Sequence, residues 1–269
     1  MKKTLKRTLS LLLAFVMLAS LSLPACAASD YESDIARVMK NFSKTDDKAT
    51  TANDQIVNGR IKTVEMLEVI ANELDTEGKY TRSISRIMDT FRQNDSSAKS
   101  EFEQMYNAAY QAAELLGVIV HETDKGGYLS SYAEQTLEHM WDIDSETNLV
   151  DDKIVIGTYY TVYILEALAY AVDADEDAIE DVMDTFDSEN NKAQYFSNQV
   201  INGTYRTVEL LELVASALDK NGIFKSDISS IMSTLRRQDN SAKHVNHQIT
   251  NGTYRTVQML EIIAYECLP

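Results

Sequence analysis

One pattern returns five times along this chain at nearly constant spacing, and it limits the possible folds more than any other feature. Segments Asn58–Asp75, Asn202–Asp219 and Asn251–Leu268 align without gaps, Ile156–Asp173 keeps the same frame, and Asn107–Asp124 is a degenerate copy. Their first residues lie 49, 49, 46 and 49 positions apart. A period of this size marks a chain assembled from supersecondary units that each need a neighbour to cover their apolar faces. A second element precedes each copy: Val38–Phe42, Ile87–Phe91, Val182–Phe186 and Ile231–Leu235, with His139–Ile143 as the diverged third version.

Proline decides the class of those units. The chain has only two, Pro24 and Pro269, and nine glycines in 269 residues. A β-sandwich or barrel of this length needs many more turn residues, so the fold is all-α. Each unit reads as a short helix of about 14 residues, a polar break and a long helix of nearly 30. The breaks at Asp46-Asp47, Asp95-Ser96-Ser97, Asn190-Asn191 and Asp239-Asn240-Ser241 offer side-chain oxygens to cap the long helices. Glycines at 78, 126, 127 and 222 can end them in the left-handed conformation.

The Asn-Gly pairs at 58, 202 and 251 would ordinarily signal turns. Here Ala108 replaces the glycine in one copy and Ile156 the asparagine in another, changes that a tight turn resists. The glycine is better explained as room for a neighbouring helix, with the long helix running through it. Ile201, Thr204, Val208, Leu211, Ala215 and Leu218 follow a 3-4-3-4-3 spacing, widened by Leu210, Val214 and Ala217. That is the broad apolar stripe of a core-packed helix. The expected architecture is therefore five two-helix units, about 30–75, 79–124, 127–173, 175–219 and 223–269, in one domain spanning 28–269. They would stack as an α-solenoid or elongated bundle, with a closed bundle of ten helices as the alternative.

Residues 1–27 form a secretory signal. Lys2, Lys3, Lys6 and Arg7 precede an apolar stretch from Leu9 to Leu23, and Ala25-Cys26-Ala27 has small residues where signal peptidase reads. Cleavage after Ala27 releases a soluble, extracellular protein. Leu23-Pro24-Ala25-Cys26 also resembles a bacterial lipobox, which would leave a surface lipoprotein acylated at Cys26. In either case no transmembrane segment is expected in the processed chain. Removing residues 1–27, which carry four basic residues and no acidic one, takes the formal charge from −17 to −21. Such a surface repels nucleic acid and attracts cations or basic partners. Only Cys267 survives release, so no intrachain disulfide is possible; it occupies the apolar position of Leu218 and reads as core.

The recurring polar motif Thr-Tyr-Arg-Thr stands at 204–207 and 253–256, with Thr-Tyr-Tyr-Thr at 158–161. Tyrosine and arginine carry interface energy, which makes Tyr205, Arg206, Tyr254, Arg255, Tyr159 and Tyr160 the candidate binding residues. The plainer alternative is packing for the tyrosines and pairing of Arg206 with Glu209 one turn on. Glu68, Glu166, Glu212 and Glu261 share one position, and Glu65, Glu114 and Glu209 another. His244 and His247 lack counterparts in other copies, the Asp142–Asn148 segment lacks a calcium loop's glycine and final glutamate, and no Glu-x-x-His pairs exist. No metal, cofactor or catalytic constellation is expected.

These features point to a secreted or surface-tethered helical-repeat binding protein, resembling bacterial helical-repeat binding scaffolds in architecture alone. Its partner would be a protein or other extracellular ligand of basic character. Two alternatives remain: an enzyme acting on an extracellular polymer through the divergent middle, which holds Trp141, His121 and His139, and a membrane-active helical bundle.

Overall fold

A computed structural model describes residues 27–267; the signal-peptide and Cys26 readings fall outside that range. Among the described residues there are ten helices and no strand. Five are the shorter partners: α1 (Ala27–Asp46), α3 (Thr81–Ser97), α5 (Tyr128–Glu146), α7 (Glu176–Lys192) and α9 (Lys225–Ser241). The other five follow them in alternation: α2 (Ala52–Leu74), α4 (Glu101–Thr123), α6 (Val150–Ala171), α8 (Phe196–Leu218) and α10 (Val245–Glu266).

The long helices run through Asn-Gly, as the substitutions implied, but their beginnings lie later than expected. Asp46 and its counterparts Asp95, Asn190 and Asp239 stay in the last turn of the short helices. The N-caps are Thr51, Ser100, Leu149, Tyr195 and His244. The reason is a competing job for the carboxylate: Gln55, Gln104 and Gln248, in the first turns of the long helices, donate to Asp46, Asp95 and Asp239. The short helices therefore have 17 to 20 residues and the long ones 22 or 23.

At the other end of three of the long helices, α2, α4 and α8, an aspartate staples the turn. Asp75 accepts from the Tyr80 N–H at 2.9 Å, Asp124 from Ser130 at 2.8 Å, and Asp219 from Ile223 at 2.7 Å. Gly78, Gly127 and Gly222 stand in these turns with φ of 69°, 75° and 68°, where a side chain would be strained.

Each long helix packs on two others, in the cyclic order α2, α4, α6, α8, α10 and back to α2. The units thus stack and then close, so the closed alternative is the one adopted. The short helices lie outside, each in the groove between the long helix before it and the one after. Closure is specific. Thr253 of α10 fits against Gly59 of α2, as Thr204 fits Gly252 and Thr158 fits Gly203. A Cβ on those glycines would meet the threonine methyl at 2.5 to 2.6 Å, closer than any real contact. Tyr31 also donates to the Ala264 carbonyl at 3.0 Å across the seam.

The axis is filled in layers. Ile56, Met105, Ile154, Val200 and Ile249 form an apolar cluster toward the starts of the long helices. Small residues follow, and a cavity of about 50 Å3 opens there among Arg60, Ala109, Ala112 and threonines 63, 158, 161, 204, 207, 253 and 256. Those threonine hydroxyls all donate to their own i−4 carbonyls, which turns methyl groups toward the neighbours. Beyond lie Leu67, Leu116, Leu165, Leu211 and Leu260, all fully buried, as are Val208 and Val257. By length and composition α6 could cross a membrane; here 61 % of its apolar stretch is buried in the ring.

Candidate functional site

In the outer grooves the same positions recur with different chemistry. Each groove is floored by a long helix, at the residues four, seven and ten after its anchor, and walled by the short helices on either side. Over α2 the floor is Lys62, Glu65 and Glu68, and it is closed by two internal ion pairs. Lys62 Nζ lies 2.7 Å from Glu65, and Arg92 of α3 lies 3.2 Å from Glu68. Over α8 the floor is Arg206, Glu209 and Glu212, with Arg206 Nε 3.0 Å from Glu209. Arg236 of α9 lines the same cleft of about 290 Å3. Burial pushes the Glu68, Glu209 and Glu212 carboxyls upward, and the arginine charges beside them work against that shift.

Over α4 the groove is blocked. Leu137 of α5 fills the space at Gly117, where a Cβ would meet its Cδ1 at 2.8 Å. Over α10 the floor is Arg255, Gln258 and Glu261. Burial lowers the Arg255 guanidinium to about 10 and raises the Glu261 carboxyl to about 7, with Asp227 adding to the latter.

The groove over α6 differs from all of these. Tyr160 stands where Arg206 and Lys62 stand, Tyr163 replaces the glutamate, Glu166 is kept, and Asp187 of α7 takes the place of Arg92 and Arg236. Tyr163 packs edge-on against Tyr160 at 5.9 Å and against Phe186 at 5.6 Å. Half-exposed Tyr132 of α5 donates to Glu166 at 3.4 Å. Burial raises the Glu166 carboxyl, and the Asp187 charge raises it further. The groove therefore combines aromatic faces with two carboxylates, and among the described residues it supplies no cation of its own.

Charge around the ring follows the same division. Residues 127–193, which form α5, α6 and α7, hold 17 acidic and 2 basic residues; residues 194–269 hold 7 of each. Both bases of the acidic sector are occupied, Lys153 by Asp144 at 2.6 Å and Lys192 by Glu189 at 3.0 Å.

The six residues singled out in the sequence separate into two groups. Tyr159, Tyr205 and Tyr254 are half-buried, and each donates its hydroxyl to the end of the next short helix: to Asn190, to Asp239 at 2.6 Å, and to Asp46 across the seam. Tyr110 does the same with Asp144 at 2.8 Å. These hydroxyls are committed to holding the ring together. Tyr160, Arg206 and Arg255 instead share one floor position in three different grooves, so no single site gathers the six.

Tyr132, Tyr163 and Asp187 were missed, although comparing the copies position by position would have exposed them. The sequence alignment of the third short helix, His139–Ile143, is three residues out of register. Tyr110 meets Asp144 over the same 34-residue separation as Tyr205 meets Asp239, which makes Met140, fully buried, the counterpart of Phe91. Ile143, not Met140, is placed opposite Phe91 by the sequence alignment, and Trp141, at 40 % exposure, packs edge-on against Tyr110 from outside.

Among the described residues no group of three or more metal-ligating side chains gathers. His244 and His247 contact each other edge to face at the start of α10, and His121 lies 3.2 Å from Glu134. Cys267 is half-buried against the core, with its thiol pushed up to about 12 by burial and the nearby Glu266 and Glu73.

Comparison of the chain with protein-family models, with curated protein sequences and with solved structures finds no match in any of the three.

Proposed function

We propose that the processed chain is an exported binding protein whose ligand is positively charged and docks on the outer face made by α5, α6 and α7. The observation that supports this most is the lopsided charge: 17 acidic against 2 basic residues in 127–193, beside an evenly balanced final sector. A field concentrated on one side of a small ring steers and orients a cationic partner, which an evenly spread charge of the same total does not. A ring that closes on itself also leaves no long helix unpartnered for stacking further units, so recognition falls to the outer grooves. In this reading the signal delivers the protein outside the cell, released after Ala27 or tethered through Cys26.

The test is calorimetric titration of the chain from residue 28 with polylysine and with polyglutamate at near-physiological salt. Binding of polylysine alone, weakening steeply as salt is raised, is the expected result. Equal or absent binding of the two polymers would overturn the proposal.

A further inference from the structure

We infer that the groove over α6 is a seat for an arginine side chain of a basic polypeptide; this rests on the reading above and gives it a location. The molecule itself shows what a carboxylate at this floor position receives. Over α2, Glu68 takes the guanidinium of Arg92 at 3.2 Å, and over α8 Arg236 lines the groove beside Glu212. Glu166 occupies the same position, but the residue that faces it is Asp187, the floor cation is replaced by Tyr160, and the floor glutamate is replaced by Tyr163.

Two consequences follow from this exchange. The groove lacks the guanidinium that Arg92 and Arg236 supply in the grooves over α2 and α8, and the two lysines of its sector are already paired with Asp144 and Glu189. In addition, Tyr160 and Tyr163, which replace the floor cation and the floor glutamate, are of a kind that binds a guanidinium through the ring face. Arginine suits this better than lysine because its planar head can stack on Tyr163 while its N–H groups reach the carboxylates of Glu166 and Asp187. Tyr132, half-exposed with its hydroxyl on Glu166, closes the α5 side. The surrounding acidic helices would hold the rest of a basic segment through diffuse attraction, and the groove would supply the selectivity.

The experiment compares nona-arginine, nona-lysine, nona-citrulline and spermine as ligands for the chain from residue 28, by calorimetry at near-physiological salt. Citrulline keeps the shape of arginine and removes its charge. Nona-arginine is expected to bind about tenfold more tightly than nona-lysine, with no binding of the citrulline peptide. Asp187→Arg rebuilds the internal cation present at Arg92 and Arg236, and is expected to weaken nona-arginine by about tenfold or more. Asp177→Arg makes the same charge change on an exposed residue of α7 outside the groove, and is expected to cost about threefold or less. An unchanged melting temperature shows that both variants are folded. If the two substitutions weaken binding equally, or if spermine binds and nona-arginine does not, the groove assignment is overturned. The wider reading survives the first of those results. If the unaltered chain binds none of the cationic ligands, both fall together.

Discussion

The grooves over α8 and α6 come from equivalent stretches of one repeated pattern, yet they are chemically opposite. Over α8, Arg206 and Arg236 stand among Glu209 and Glu212, and charges brought out of water are offset within the groove. Over α6, Tyr160, Tyr163 and Asp187 leave Glu166 without any cation. Both grooves rest on the same frame of threonine methyls packed into glycines and tyrosine hydroxyls tied to short-helix ends. The comparison shows that the frame sets where side chains stand, while the residues at three positions, those of Arg206, Glu209 and Arg236, decide whether a groove carries its own cations.

The largest test concerns the frame shared by the two grooves. Gly203→Val places a branched side chain against Thr158 Cγ2, and should cost about 3 kcal/mol, read as a fall in melting temperature. A cost below about 1 kcal/mol would mean that α6 and α8 can separate without loss, and the two grooves could not be compared as parts of one rigid ring.

Next in size is a pH effect in the groove over α10. The folded-state pKa of Glu261, about 7, lies above its ordinary value near 4.5 because of burial and Asp227. A raised carboxyl pKa means that the folded state holds its proton more tightly than the unfolded chain. Its stabilising contribution is complete below about pH 4.5 and is lost as pH rises to about 7. Glu261→Gln should therefore gain roughly 2–3 kcal/mol at pH 8, little at pH 4, and flatten the stability profile between them. Denaturant melts at the two pH values measure this. Glu166→Gln, whose carboxyl is raised in the same direction, should show the same sign.

A smaller contrast separates the two tyrosine ties. Tyr205→Phe removes a bond to the carboxylate of Asp239 and should cost about 2 kcal/mol, whereas Tyr159→Phe removes one to the neutral amide of Asn190 and should cost about 1 kcal/mol. Equal costs would indicate that the charge of the Asp239 acceptor adds nothing to the bond. The smallest effect is expected from Lys192→Ala, which breaks the exposed pair with Glu189: less than about 0.5 kcal/mol. A larger loss would show that the acidic sector depends on its few bases for stability.

Much of the fold was legible before any coordinates. The scarcity of proline and the 3-4 spacing from Ile201 to Leu218 called for helices, and Ala108 in place of glycine argued for a continuous long helix. Gly59, Gly203 and Gly252 do receive neighbouring threonines, Gly157 receives Tyr110 and Ala109, and Val208 is fully buried. The helix starts were misread because capping chemistry is locally ambiguous. Asp46 could cap the next helix or stay in its own and accept from Gln55 and Tyr254, and the second donor is 208 residues away. The groove over α6 was only half legible for a similar reason. Glu166 was visible as a repeated position, but Asp187 gains its meaning from α7 standing beside it.

By its own pattern of apolar, small and capping residues, the sequence determined that this protein is helical, that its helices alternate short and long, and which stripe of each is buried. These are local properties, written within a few turns of one helix. The tertiary structure alone decided that the five units turn far enough to close into a ring. The angle between successive units depends on how closely side chains such as Thr253 and Gly59 approach across a junction. Small differences there accumulate over five steps into either an open stack or a circle.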